Sequence, residues 1–215
     1  MTNDAVPLDL VNNDLDIRVL CRVMNFDFTA GIQALVAKWG GAGQRSYYFQ
    51  INSTSAPRFQ WTTDGTTQLS ATCSALLTAV PRIGDNAVWL RVTHDIDNGA
   101  AGNDTAFWYS FDGVSWTQLG VTSTAGGVTS HFDSSNGLSI GGSGAAGNNT
   151  TADNIRIYEA IVKNGINGTT VADFLPNPRD HASVIPVADA FGNSWSGNTP
   201  TAFRYSKQER VSVLS

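Results

Sequence analysis

Short runs of alternating apolar and polar residues follow one another along the chain, separated by segments rich in Gly, Asn, Ser and Thr. Strict alternation has the period of a β-strand with two different faces. Many short strands with such turns between them are typical of an all-β sandwich or barrel. The clearest runs are 17–23, 32–39, 47–51, 58–61, 88–93, 106–111, 116–119, 138–140 and 155–162.

In two of these runs one face of the strand is uniformly apolar or aromatic, and the opposite face also carries a large aromatic residue. In 88–93, Trp89 and Arg91 alternate with Val88, Leu90 and Val92. In 106–111, Trp108 likewise opposes an aromatic set. Such strands have one face toward a core and a second face that either meets solvent or is covered by a loop or subunit.

The sequence changes character after Asn164. Pro176, Pro178 and Pro186 indicate an extended connector, because proline fixes φ and restricts the residue before it. We therefore predict one domain over residues 1–163 and a C-terminal extension over 164–215. The extension packs either on the sandwich or on a neighbouring molecule.

Composition supports β structure and argues against helical bundles and disorder. Charged residues make up 14% of the chain and hydrophobic residues 41%. Glu and Lys, which favour helices, are rare, whereas β-branched and aromatic residues are common. Disordered chains lack such residues, and this chain has enough of them to form a sizeable core.

Charge and targeting signals narrow the choice of partners. The formal net charge of −5 is unfavourable for nucleic acid, whose phosphates require clustered cations. No apolar run is long enough to span a membrane. The first residues lack the cationic start and apolar stretch of a signal peptide. We thus expect synthesis in a cytoplasm, where the protein either stays or leaves by a route without a signal peptide, such as assembly into a virus particle released by lysis. Cys21 and Cys73 could pair, but two thiols do not make a disulfide framework. Cys21 alternates with Val19 and Val23, which favours a buried, reduced thiol.

Three segments together resemble a laminin-G-like domain of the concanavalin A-like superfamily. They are Asp-Leu-Asp-Ile-Arg-Val at 14–19, the Trp-bearing strand at 86–95, and Phe-Trp-Tyr-Ser-Phe-Asp-Gly-Val-Ser-Trp at 107–116. The resemblance covers roughly residues 14–163. It implies a two-sheet antiparallel jelly-roll sandwich, to which the C-terminal extension is added.

The hairpin in the third segment has a structural interpretation of its own. The Asp112 carboxylate can accept hydrogen bonds from turn amides, and Gly113 can adopt a positive φ. We therefore predict that the turn is structural and that Trp116 packs beside the strand pair.

The tail is similar to the ending of laminin-G-like domains in minor tail proteins of actinobacterial phages. The resemblance rests on Phe174-Leu175-Pro176 and on the segment 189–195, Asp-Ala-Phe-Gly-Asn-Ser-Trp. It implies a virion component in a tail or on a capsid, with other virion proteins as partners and a homo-oligomeric state. Weak glycan sites repeated by virion symmetry would then attach the particle to a host surface by avidity. The alternative is a secreted bacterial carbohydrate-binding module or glycoside hydrolase.

The chain is poorly equipped for hydrolysis. Retaining glucanases of this superfamily need two carboxylates roughly 5–5.5 Å apart, supplied from one strand. Here Glu159 and Glu209 are the two glutamates and lie far apart in the sequence. The histidines His94, His131 and His181 have no nucleophile elbow beside them. We therefore predict a non-enzymatic protein without a cofactor.

Calcium is the metal that the sequence permits. Asp95, Asp97 and Asp104, with Asn98 and Asn103, place five oxygen-bearing side chains in a short loop. Calcium prefers such ligands, so the three aspartates are candidate metal ligands. The competing interpretation is a solvated Asx-rich turn, since the regular calcium-loop spacing is absent.

Sugar binding requires aromatic side chains that stack on pyranose rings and polar neighbours for the hydroxyls. Trp89, Trp108, Tyr48 and Arg91 are the candidate ligand-binding residues, because their strand registers place them away from the apolar sets. Packing in a second core or in an interface would produce the same pattern, so both interpretations stay open.

Overall fold

The computed structural model describes residues 1–2, 4–29, 31–143, 154–175 and 187–195. These residues form thirteen β-strands and two short 3-10 turns, Val6–Leu8 and Leu77–Ala79. No α-helix occurs within the described ranges. They therefore contain no helix that is long and apolar enough to cross a membrane. In chain order the strands are β1 (Leu15–Val23), β2 (Gln33–Trp39), β3 (Arg45–Ile51), β4 (Pro57–Trp61), β5 (Leu69–Thr72), β6 (Val88–Asp95), β7 (Gly102–Ser110), β8 (Thr117–Gly126), β9 (Ser139–Ile140), β10 (Ile155–Asn164), β11 (Thr169–Phe174), β12 (Val187–Ala188) and β13 (Ser194–Trp195).

The strands make two antiparallel sheets that face one another. The six-stranded sheet has the order β11-β10-β1-β6-β7-β8, and the five-stranded sheet has the order β5-β4-β3-β2-β9. A separate two-stranded hairpin pairs β12 with β13. The predicted all-β, two-sheet antiparallel sandwich is confirmed.

The core lies between the sheets and follows the predicted alternation. Ile17, Val19 and Cys21 on β1 are fully buried. From the opposite sheet, Phe49 approaches Phe107 with 6.4 Å between ring centroids. Burial of such side chains is the main favourable term for folding, so the two inner faces determine the architecture.

The segment between β4 and β6 contains an edge strand and a turn. Residues 69–72 form β5, and the 3-10 turn Leu77–Ala79 follows. Both cysteines are buried and free, which was predicted for Cys21. Burial raises the pKa of the Cys21 thiol to about 12, so it stays protonated and inert.

Part of the predicted C-terminal extension belongs to the sandwich. β11 pairs with β10, so the predicted boundary after residue 163 falls within a hairpin of the six-stranded sheet. Trp195 is buried and meets Phe174 with 5.0 Å between ring centroids. Most of the proline-rich connector and the end of the C-terminal extension, residues 196–215, lie outside the described residues.

A buried lysine fixes the N-terminal segment to the rest of the fold. The Lys38 ammonium is fully buried and contacts Asp4 at 2.7 Å and Asp9 at 3.0 Å. It also donates to the Ser134 and Asn136 carbonyls. A buried charge needs such partners, so these contacts tie the start of the chain to β2 and to the segment before β9.

Two buried histidines close one end of the core. His131 Nδ1 lies 2.8 Å from the Leu10 carbonyl, and His131 Nε2 lies 2.9 Å from His94 Nδ1. The ring of Trp61 packs on His94 with 4.4 Å between centroids. Burial lowers the pKa of His131 to about 4 and that of His94 well below its ordinary value. Both rings are therefore neutral in the folded protein at neutral pH.

This pair predicts an acid-sensitive stability. Below pH 6.5 the unfolded chain protonates these histidines while the folded protein does not, so the free energy of unfolding falls as the pH drops toward 4. For His131 the loss is on the order of 3 kcal/mol. Urea unfolding at several pH values measures it. The His131→Asn variant should show a shallower slope over the same range, and an equal slope would contradict the assignment.

Candidate functional site

The outer face of the six-stranded sheet carries a row of cross-strand partners with unusual chemistry. Arg18 on β1 pairs with Arg91 on β6, and Arg91 pairs with Trp108 on β7. The row continues through Ile161 on β10 to Asp173 on β11 at one end and reaches Gln118 on β8 at the other. Like charges directly opposite one another destabilise a sheet, so the two arginines require a compensating group.

Asp16 supplies that compensation. Its fully buried carboxylate accepts hydrogen bonds from Arg91 Nε at 2.9 Å and Arg91 Nη2 at 2.8 Å. Arg18 donates to the same two oxygens from Nε at 3.2 Å and Nη2 at 2.8 Å. The backbone N–H of Asn167 adds a further bond at 3.0 Å. Paired N–H donors of this kind fix a guanidinium in position and orientation.

Asn167 links both arginines a second time. Its Oδ1 atom accepts from Arg18 Nη2 at 2.8 Å and from Arg91 Nη2 at 2.9 Å. The residue has a φ of 58°, a left-handed conformation that Asn tolerates better than most residues. The turn between β10 and β11 thus aims one side chain at the arginine pair.

The electrostatics of the group follow from this geometry. Burial alone would raise the pKa of Asp16, but the hydrogen bonds from Arg18 and Arg91 and the charge of Arg91 outweigh it, so the pKa lies below its ordinary value. The carboxylate therefore stays ionised at neutral pH. Two guanidinium charges share one carboxylate, which leaves one positive charge in excess.

Trp116 covers the arginine pair. Its ring centroid lies 5.3 Å from Arg18 Cζ and 5.1 Å from Arg91 Cζ, within the range of cation–π attraction. The Trp108 centroid lies 5.9 Å from Arg91 Cζ, and the Trp108 indole N–H donates to Thr93 Oγ1 at 3.1 Å. Both tryptophans are partly exposed. The group Asp16, Arg18, Arg91, Trp108, Trp116 and Asn167 is called the arginine–tryptophan cluster below.

The hairpin between β7 and β8 positions Trp116. Asp112 Oδ1 accepts from the backbone N–H of Val114 at 2.8 Å and of Ser115 at 2.7 Å. These bonds hold the pKa of Asp112 well below its usual range. Gly113 adopts a φ of +74°, and a Cβ there would meet Trp89 Nε1 at 2.9 Å. The turn has the hydrogen bonds and positive φ that the sequence predicted.

The structure brings together three of the four predicted sugar-contacting residues. Trp89, Arg91 and Trp108 lie on the outer face of the six-stranded sheet. Tyr48 does not join them, because it lies on β3 in the five-stranded sheet, nearly buried and packed against Trp39 with 5.6 Å between ring centroids. Alternation places a residue on one face of a strand but does not say which sheet that strand joins.

Four further members of the cluster were not identified as site residues from the sequence. Trp116 was predicted only to pack beside the strand pair. Asp16 and Arg18 alternate with the buried set of β1, so the same strand periodicity could have placed them on the outer face. Asn167 gives no such signal, since it comes from a turn 149 residues beyond Arg18.

The predicted calcium ligands lie at the end of β6 and the start of β7. Asp95 Oδ1 accepts from the Asp97 backbone N–H at 3.1 Å, and Asp97 Oδ1 accepts from Gly99 at 3.2 Å. Asp104 Oδ1 accepts from the Asn98 amide at 3.1 Å. Burial, followed by the charge of Asp14, raises the pKa of Asp95. Among the described residues no three His, Cys, Asp or Glu side chains are grouped to hold a metal ion.

Comparison with known proteins gives structural likeness only. No protein-family model matches the chain, and no curated protein matches it. Among solved structures, it is similar to the CBM40 of the Ruminococcus gnavus IT-sialidase, with 13% identity over 73% of this chain and 84% of that chain at a TM-score of 0.43. The same module bound to α2,6 sialyllactose matches at 12% identity over 83% and 89% of the two chains, with a TM-score of 0.43.

A further similar structure carries the description "Cell entry of botulinum neurotoxin type C is dependent upon interaction with two ganglioside molecules". It has 11% identity, covering 86% of this chain and 40% of that chain, at a TM-score of 0.47. At such identities the likeness concerns the fold alone.

The hairpin geometry predicts a specific cost for a methyl group at Gly113. We expect Gly113→Ala to lower the free energy of unfolding by about 2–3 kcal/mol, because it combines a strained φ with a contact against Trp89. Gly99→Ala is the matched control, since its φ is +73° with nothing within 4 Å. Urea unfolding compares the two variants. Equal losses would show that the contact with Trp89 contributes nothing.

The aspartate loop predicts the response to calcium removal. We expect EGTA to leave the Tm unchanged, because one oxygen of each of Asp95, Asp97 and Asp104 already accepts a hydrogen bond within the loop. Thermal unfolding followed by circular dichroism measures this. A Tm that falls in EGTA and recovers with added Ca²⁺ would instead establish a calcium site.

Proposed function

We propose that this protein is a non-enzymatic carbohydrate-binding module whose ligand lies on the outer face of the six-stranded sheet. The observation that carries the proposal is the pairing of partly exposed Trp108 and Trp116 with two guanidiniums already held in place by Asp16. Aromatic faces beside oriented polar groups are what a sugar ring with hydroxyl groups requires.

The fixed geometry of the cluster favours binding. The Trp108 ring is anchored by its hydrogen bond to Thr93, and Trp116 follows a turn fastened by Asp112. Side chains ordered before the ligand arrives lose less conformational freedom on binding, so more of the contact energy appears as affinity. Such anchors on neighbouring strands suit a saccharide that lies across the strands.

The charged side chains of this face support binding rather than hydrolysis. Asp16 is fully buried and occupied by its hydrogen bonds, so it is unsuited to act as a nucleophile or an acid. Its lowered pKa also opposes proton donation at neutral pH. Glu159 lies on β10 opposite Leu20, and Glu209 lies outside the described residues.

The setting of the module stays a prediction from the sequence. The resemblance to laminin-G-like domains of phage tail proteins suggests display on a virion, made in the host cytoplasm and repeated by homo-oligomeric symmetry. Detection of the protein in purified particles tests this setting, and a secreted bacterial module is the alternative that its absence would favour.

The ligand site is tested with a glycan array followed by isothermal titration of the glycans that bind. We expect Trp108→Ala and Trp116→Ala each to weaken binding about tenfold or more, because each removes an aromatic anchor near the centre of the site. The Tm of each variant reports whether the fold persists.

Phe191→Ala provides the matched control, because Phe191 is an exposed aromatic residue in the turn beside β13. It should leave affinity unchanged. Binding that is as strong in the Trp108 and Trp116 variants as in the unaltered protein, or lost equally in the Phe191 variant, would contradict the proposed site.

A further inference from the structure

We infer that the arginine–tryptophan cluster recognises an acidic saccharide, one bearing a carboxylate or a sulfate, through Arg18 and Arg91. The inference rests on the proposed function and specifies the class of its ligand. Three observations carry it: the charge left over in the cluster, the donors that each guanidinium still offers, and the way in which the cluster is fixed.

The charge balance favours an anion at this position. Arg18 and Arg91 both bind the single Asp16 carboxylate. Within the part of the chain that the structure describes, no other carboxylate forms an ion pair with either guanidinium. Lys163 on β10 is the cross-strand neighbour of Asp16 and adds another cationic side chain. Its ammonium donates to the Gly168 carbonyl. In a chain of net charge −5, this is a local excess of positive charge.

Each guanidinium keeps one nitrogen available. In both arginines, Nε and Nη2 bind Asp16 and Nη2 also binds Asn167. Nη1 of Arg18 and of Arg91 forms no hydrogen bond with the described residues, yet neither atom is among their buried, unpartnered polar atoms. The Arg18 side chain is 14% exposed and the Arg91 side chain 6% exposed. Each Nη1 has two N–H donors that no described residue accepts, and a ligand oxygen would approach them from the outer face of the sheet.

The cluster orients these donors in advance. The guanidiniums are direct neighbours across β1 and β6, and Asp16 fixes both planes. Trp116 lies over the pair, which limits water at the charges and strengthens a hydrogen bond to an anion. An acidic group accepting from the Nη1 atoms would place its sugar ring beside Trp116 and Trp108. Hydrogen bonds to ionised acceptors are about twice as strong as neutral ones.

The test compares matched neutral, carboxylate-bearing and sulfated forms of the same oligosaccharides by array and titration calorimetry. We expect the unaltered protein to bind at least one acidic form about tenfold or more tightly than its neutral parent. That preference should weaken as salt is added, because ion pairs at a surface are screened. The acidic form with the higher affinity identifies the anion.

Arg18→Gln should weaken binding of the acidic form more than binding of its neutral parent, so that the preference for the acidic form falls. Arg58→Gln makes the same charge change on β4 of the other sheet and should keep the preference. If Arg18→Gln does not fold, the salt dependence of the preference for the acidic form, measured on the unaltered protein, tests the inference instead. Equal affinity for neutral and acidic forms, or a preference insensitive to salt, would overturn the inference while the proposed function stands. Binding to no saccharide at all would overturn both.

Discussion

The Asp16 carboxylate organises the face on which the proposed function depends. It is buried on the outer side of a sheet, where a charge is unfavourable unless hydrogen bonds surround it. Arg18, Arg91 and the Asn167 backbone meet that need and are thereby fixed themselves. One carboxylate thus connects three separate parts of the chain, and the tryptophans pack on the arrangement that results.

The sandwich beneath this face provides its rigidity. β1 and β6, which carry the two arginines, are adjacent strands well inside the six-stranded sheet, and their other faces are packed in the core. A side chain on such a strand cannot move far without disturbing the core. The hairpin between β7 and β8 extends this rigidity to Trp116, since the Asp112 carboxylate holds its turn.

Much of the fold could be predicted from the sequence because each strand has two chemically distinct faces. The alternation in 88–93 and 106–111 placed Trp89, Arg91 and Trp108 away from the core, and they share one face. Pairing between strands could not be predicted in this way. Tyr48 satisfies the same alternation but lies in the other sheet. Asn167 reaches Arg18 across 149 residues, a contact that no local pattern indicates.

The proposed saccharide ligand contacts the outer face of the six-stranded sheet around Trp108 and Trp116. The chain has six tryptophans, so the indole N–H resonances in a ¹⁵N-labelled sample report on six separate positions. Titration with a bound saccharide should shift the Trp108 and Trp116 signals and leave Trp39, Trp61 and Trp195, which are nearly buried elsewhere, unchanged. Shifts confined to those three, with Trp108 and Trp116 unmoved, would contradict the account.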